Sequence, residues 1–413
     1  MIFSITFLRH ALGWSLLAFL PSVALAVSES RIVNFELATI EAAARADDGA
    51  VQTLTVEGYG QRFVLELATE TALFEGWDQA MMERALARGQ FYRGTVKDNP
   101  DSWVRISKVD GRWTGAWFDG TELYMLDPEP AVRSQLTRAA APEANLIYRF
   151  GDLQLGEFCG APIALPGYRE QLGAAPNYAS FAAHLRQSAG VGEAIVRRLR
   201  VTLVTDTEFS KIHGADRDAV VAARMAVVDG IYNNQPDTQI GISNLTHLTD
   251  NGTLNTVIGD GNDGLLVRFR TYMFSGAGTS IPKGGLNHLL TGKDLAVAEN
   301  PANTWLAGIA YLDVLCSTSF GYGVSEVRSN NNTASLIIAH ELGHNFSARH
   351  DGQVGSPCQA QIGTWLMSPS INGSSTFSPC SLNSVSNAIS AAPVGCFVAP
   401  TSNDLVFSNG FEG

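Results

Sequence analysis

Basic residues are scarce in this chain: 28 Lys and Arg stand against 40 Asp and Glu, a formal net charge of −12. With no clustered basic surface to neutralise phosphates, a nucleic-acid partner is not expected. Long apolar runs are equally few, and after residue 26 no segment could span a bilayer. Long internal repeats and low-complexity tracts are missing too, and nothing reads as fibrous or disordered. Cysteine is sparse and odd in number: Cys159, Cys316, Cys358, Cys380 and Cys396 read as two pairs plus one that needs a role.

What is present begins with MIFSITFLRHALGWSLLAFLPSVALA, in which Arg9 precedes an apolar stretch broken by Pro21 and ending in Ala24-Leu25-Ala26. This reads as a signal peptide over 1–26. Export follows, to the extracellular medium with the periplasm as a stage in transit, and with it an environment that permits disulfides. The 413 residues, 45% of them hydrophobic, are enough for two domains with separate cores.

The first domain, 27–195, is expected to be β-rich. Gln52–Val56 and Arg62–Leu67 alternate or run β-branched, and Trp103, Trp113, Trp117, Phe118 and Tyr124 are its expected core. From about 130 to 195 Ala, Pro, Gly and polar residues predominate, which reads as a connecting segment containing Cys159. From about 197 the pattern becomes α/β. Strands are expected near 199–204, 239–242, 306–311 and 322–327. A helix should place Val221, Met225, Val228 and Tyr232 on one buried face. Asn330-Asn331-Asn332 reads as a short loop whose last residue caps the next helix.

Residues 333–351 read TASLIIAHELGHNFSARHD. On a helix His340 and His344 share a face and can reach one metal ion. Glu341 follows the first, where a carboxylate can act on the attacking water as general base without binding metal. His350 supplies a third imidazole if the chain turns sharply after Phe346. Three imidazoles and one open position make a catalytic zinc site, whereas a structural zinc more often uses cysteines and closes all four positions. Three of the chain's eight histidines fall in this stretch, so coincidence explains it poorly.

This segment resembles the metzincin signature H-E-x-x-H-x-x-G-x-x-H-D in its reprolysin and ADAM form. Met367-Ser368-Pro369 resembles the Met-turn, Gly308-Ile309-Ala310 the edge strand on which the family lays its substrate, and Phe91–Gly94 with Pro100–Val104 its propeptide. The resemblance covers roughly 197–398. It implies an α/β metzincin catalytic domain over 196–400, with a mixed, mostly parallel twisted sheet, long helices, a zinc cleft and a Met-turn. That domain would follow an inhibitory propeptide over 27–195, and 401–413 is an unassigned tail. The implied activity is that of a secreted zinc metalloendopeptidase acting on proteins or peptides, with one catalytic Zn2+. The pairs Cys316–Cys396 and Cys358–Cys380 follow from the reprolysin framework. The Cys-Gly context of Cys159 resembles the family's cysteine switch, in which a thiolate takes the open zinc position and the propeptide inhibits its own chain.

Two departures stand out. Ser347 occupies the motif's glycine position, where φ is positive and a side chain costs on the order of 1 kcal/mol. Arg200, Gly285 and Ala399 align with the ligands of the reprolysin calcium site, so calcium is not expected there; Asp206, Glu208 and Asp294 are the acidic residues from which another site would be built. Bacterial peptidyl-Asp metalloproteases share this layout, but the cleavage preference cannot be read from the chain. The alternatives are a thermolysin-like protease, which His350-Asp351 and Met367 oppose, and an inactive metzincin-like binding or inhibitor module, which the presence of Glu341 and all three histidines opposes.

Overall fold

The computed structural model describes residues 30–42, 52–74, 77–159, 163–164, 197–255, 264–295, 306–328, 330–363, 365–371 and 375–399. The expected leader, the 401–413 tail and residues 165–196 of the connecting segment lie outside them.

In the N-terminal half, nine strands form an antiparallel sheet. Their order is Glu36–Leu37, Asn145–Arg149, Leu123–Pro128, Arg112–Phe118, Asn99–Val109, Gly89–Val96, Gln61–Thr69, Gln52–Gly58 and Thr39–Ala42. Local chemistry sets the hairpins: Asp110 and Gly111 both take positive φ (48° and 76°), the pairing that joins strands with matching twist. The sheet curls until its ends approach. A Cβ on Gly58 would lie 2.4 Å from Ile147, so only glycine fits there. Inside the curl Trp117 stacks on Tyr124 at 5.6 Å between ring centroids, and Phe63 packs edge-on against Trp117 at 5.2 Å. Trp113 joins this core, but Trp103 and Phe118 do not: they pack with the helices of the C-terminal half. Successive strand residues face opposite sides, and this sheet is covered on both, so Trp103 and Val104 enter different cores.

Regular structure also continues past 130. Asn145–Arg149 is a full member of the sheet, and Leu153–Glu157 pairs antiparallel with both Arg31–Ile32 and Ser370–Ile371. The reading of 130–195 as one connecting segment is thereby corrected. Pro142 sits in a turn just before Asn145–Arg149, a strand too short for periodicity to reveal.

The C-terminal half is an α/β structure. Arg197–Thr205 lies parallel to Thr238–His247 on one side and Leu286–Thr291 on the other; Tyr322–Glu326 continues the parallel run, and Gly308–Leu312 closes it antiparallel. Two helices pack beneath. In Arg217–Asn234 every residue from Asp218 to Tyr232 is buried, rather than one stripe, because the N-terminal sheet covers the face that an amphipathic helix would turn to water. The second helix, Asn331–Asn345, is capped by Asn330, whose side chain accepts from Thr333 N at 2.7 Å. The cap is thus the first asparagine of the run and not the last. Asn332 is buried and reaches across to the N-terminal sheet. No helix among the described residues is long and apolar enough to cross a membrane.

Candidate metal centre

The Asn331–Asn345 helix carries His340 and His344 one turn apart on one face. It ends at once. Ser347 adopts φ 73°, Ser347 N donates to His344 O at 2.9 Å, and Ala348 N reaches back to Gly343 O at 2.9 Å. This is a left-handed helix stop of the Schellman type. It reverses the chain so that His350 returns to the face of the other two histidines.

Each imidazole is oriented by its far nitrogen. His340 Nδ1 lies 2.7 Å from Leu366 O, His344 Nδ1 2.7 Å from Ala348 O, and His350 Nδ1 2.8 Å from Gln353 Oε1. All three partners are acceptors, so each Nδ1 carries the proton and each Nε2 presents a lone pair. Those lone pairs converge: His344 and His350 Nε2 are 3.1 Å apart, His340 and His350 Nε2 3.3 Å, and Cys159 Sγ stands 3.3 Å from His344 Nε2. The four ligand atoms lie within 4.8 Å of one another. Burial, reinforced by neighbouring imidazoles, holds His340 and His344 well below the usual histidine range, and burial lowers His350 as well. All three are therefore neutral, the form that ligates a metal. Lone pairs facing lone pairs at this distance repel unless a cation lies between them, and three imidazoles with a thiol fit Zn2+.

Burial also pushes the Cys159 thiol well up, with Glu341 adding to the effect, and raises the Glu341 carboxyl to about 8. A cation between the ligands reverses this by favouring thiolate and carboxylate. Glu341 is fully buried beside the Gly308–Leu312 strand. A Cβ on residue 308 would come within 2.2 Å of Glu341 Oε1, so glycine at 308 makes room for the carboxylate.

Beneath the histidines, Met367 is completely buried, and a Cβ on Gly343 would lie 2.5 Å from its sulfur. The turn carrying Met367 is tied to the histidine loop, since Asp351 N donates to Met367 O at 2.9 Å. Asp351 accepts from Ser378 and Ser381 hydroxyls at 2.7 and 3.0 Å, which anchors the loop to the start of the Pro379–Ala391 helix. Cys358 is bonded to Cys380 beside that helix start, and Cys316 to Cys396 near the short Phe397–Val398 strand. Asp351 follows the motif, and Phe377-Ser378-Pro379-Cys380-Ser381 resembles the family's segment after the Met-turn, but nothing local pairs Asp351 with serines 27 and 30 residues away. Gln353 carries no sequence signal at all.

The stretch around Cys159 lies in the cleft as an extra strand. Phe158 O accepts from both Ala307 N (2.6 Å) and Gly308 N (3.0 Å), Phe158 N donates to Pro369 O, and Ile163–Ala164 runs parallel to Gly308–Leu312. The Phe158 ring meets His340 edge-on at 4.8 Å. This strap pairs with Gly308 at one end of the strand and with Tyr311 and Leu312 at the other, so it lies along the edge that the sequence set aside for substrate. Elsewhere, Gly285 N donates to Arg200 O, Asp206 caps a helix and accepts from Gly292 N, Glu208 pairs with Asn251 and Lys293, and Asp294 with Arg328. Those carboxylates already have protein partners.

The reprolysin-type family model of Metallo-peptidase family M12 matches residues 196–378. Human "A disintegrin and metalloproteinase with thrombospondin motifs 18" is 34% identical over 126 residues, 29% of this chain and 10% of that protein. "Zinc metalloproteinase-disintegrin-like brevilysin H2a" of Gloydius brevicauda is 34% identical over 103 residues, 24% of each chain. The chain thus spans only a tenth to a quarter of the length of these relatives. The fold, the histidine geometry and these matches agree: residues 196–378 are similar to the reprolysin-type metallopeptidases of family M12.

Proposed function

We propose that this protein is an exported zinc metalloendopeptidase, and that residues 27–195 keep it latent as a propeptide. The observation that carries the reading is the convergence of three imidazole lone pairs, each fixed by an acceptor at the opposite nitrogen, beside a buried carboxylate. His340, His344 and His350 would hold the metal. Bound there, zinc supplies Lewis acidity, which acidifies water and polarises a peptide carbonyl. Glu341 takes a proton from the attacking water and delivers it to the leaving amine. A substrate lies extended along Gly308, Ile309 and Ala310, starting from the Gly308 N–H that Phe158 uses in this structure. Met367 is the Met-turn, an apolar floor under the imidazoles and not a ligand, since it packs on Gly343 from below.

Latency follows from the strap. It fills the substrate edge and brings Cys159 Sγ into the ligand cluster, where a thiolate closes the fourth position. Export through a leader over 1–26 agrees with two disulfides in the chain. The decisive test is casein digestion with and without a chelator, alongside zinc analysis, for the mature enzyme and Glu341→Gln. The variant should keep about one zinc per chain and lose hydrolysis, and retained hydrolysis would sink the assignment. A Cys159→Ala precursor should be active before processing; if it is as latent as wild type, the strap blocks by bulk alone. A cleavage-site profile of the mature enzyme then defines substrate preference.

A further inference from the structure

The strap is a small part of the contact between the two halves. The larger part lies along the Arg217–Asn234 helix and at the start of the histidine helix, where Asn330 precedes His340 by ten residues, about 15 Å of helix. At the first place Trp103 of the N-terminal sheet rests on Gly230, where a Cβ would meet the indole at 2.8 Å. Around it three charged pairs have the same sense, with the cation on the N-terminal half and the anion on the C-terminal half. Arg105 holds Asp229 with contacts of 2.7 and 3.3 Å, Arg84 reaches Asp218 at 2.8 Å, and Arg88 reaches Asp216 at 2.5 Å. Arg105 and Asp229 are both almost fully buried.

At the second place the amide of Asn332 donates to Asp127 Oδ2 at 2.8 Å and to the carbonyls of Gly115 and Leu126 at 3.0 and 3.2 Å. Asn330 donates to Tyr148 and Gln135. A single apolar core runs through both halves, from Phe91, Trp103 and Met125 into Val221, Met225 and Ile231. Apolar burial, matched charge and paired buried polar groups characterise a surface that binds its partner without a covalent link.

We propose that the N-terminal sheet is a docked subunit and not a tethered cap: it binds the Arg217–Asn234 face and the first turn of the histidine helix independently of the strap, and stays bound after the chain is cut between 165 and 196. Its role as an inhibitor rests on the function proposed above; its docking does not. Holding and blocking are then separate tasks, performed by Trp103, Arg105 and Asp127 on one side and by Phe158 and Cys159 on the other. Activation takes two events, a cut and the expulsion of the sheet.

The test uses the full-length precursor with the recognition sequence of a site-specific protease inserted between 165 and 196. After cutting, size-exclusion chromatography at micromolar concentration reads co-elution, and a peptide substrate reads activity in the same fractions. Cut wild type should co-elute and remain latent, and cut Cys159→Ala should co-elute yet hydrolyse peptide. Gly230→Leu leaves the N-terminal sheet untouched and replaces a poor helix former in the protease half, so that half should fold. After cutting, its pieces should separate, with at least 100-fold weaker association than wild type. Gly230→Ala should be intermediate. Separation of the cut wild-type pieces would overturn the proposal, as would Cys159→Ala separating as readily as Gly230→Leu. Co-elution with no hydrolysis by any variant would uphold docking and overturn the protease reading instead.

Discussion

The two ends of the histidine helix are both buried and both polar, yet they are built on opposite logic. At the first turn unlike groups meet: Asn332 donates to a carboxylate and two carbonyls, and Asp127 also accepts from Tyr148 and Thr114 hydroxyls at 2.6 and 2.8 Å. Protein groups donate to both oxygens of Asp127, so that buried carboxylate is held without a ligand. At the last turn like meets like, with imidazole lone pairs and a thiol facing one another. Full burial alone therefore does not mark a functional site. The arrangement of donors and acceptors does, because a cluster of acceptors pointed inward requires a cation.

Breaking the last turn should have the largest effect. His350→Ala removes a ligand and should lower zinc content well below one per chain and reduce hydrolysis to background, read by metal analysis and a peptide assay. Full zinc retention would mean another third ligand. Gly308→Ala separates binding from chemistry at the same end. Its Cβ displaces the Glu341 carboxylate, so zinc should stay near one per chain while kcat falls by roughly 10- to 100-fold. An unchanged kcat would show that Glu341 has room to shift without loss.

How far these ends could be read from sequence differs for a physical reason. The last turn was legible because helix geometry brings residues four apart together and His350 follows within the same short stretch. The first turn was not, since Asn332 and Asp127 are 205 residues apart and nothing local pairs them. The same holds for Trp103 on Gly230. One signal was nevertheless present: Val-Val-Ala-Ala-Arg-Met-Ala-Val-Val-Asp-Gly-Ile-Tyr, from Val220, is apolar nearly all round, and a helix without a polar face must be covered on both sides. The strap was legible only through resemblance, because a single cysteine in a loop has no periodicity to expose it.

Breaking the first turn should lower stability and spare the metal. Asn332→Ala leaves Asp127 and two carbonyls short of a donor, a loss of about 2 kcal/mol in precursor unfolding by denaturant. Zinc content should not change. A fall in zinc as large as that of His350→Ala would erase the contrast between the two ends, since it would make the polar network part of the metal site.

The smallest change sharpens the comparison at the last turn, where fold and chemistry pull against each other. Ser347 sits at φ 73°, a region in which a Cβ crowds the neighbouring backbone, yet the left-handed residue is what turns His350 back toward its partners. Ser347→Gly removes the crowding. It also frees the unfolded chain, which offsets part of the gain. The net result should be about 0.5 kcal/mol of added stability, with zinc content and peptide hydrolysis unchanged, because the φ required is the one glycine adopts freely. Thermal unfolding of the precursor measures it. A loss of stability would show that the serine hydroxyl holds the turn through a contact worth more than the strain. A change in zinc affinity would show that the strain itself positions His350.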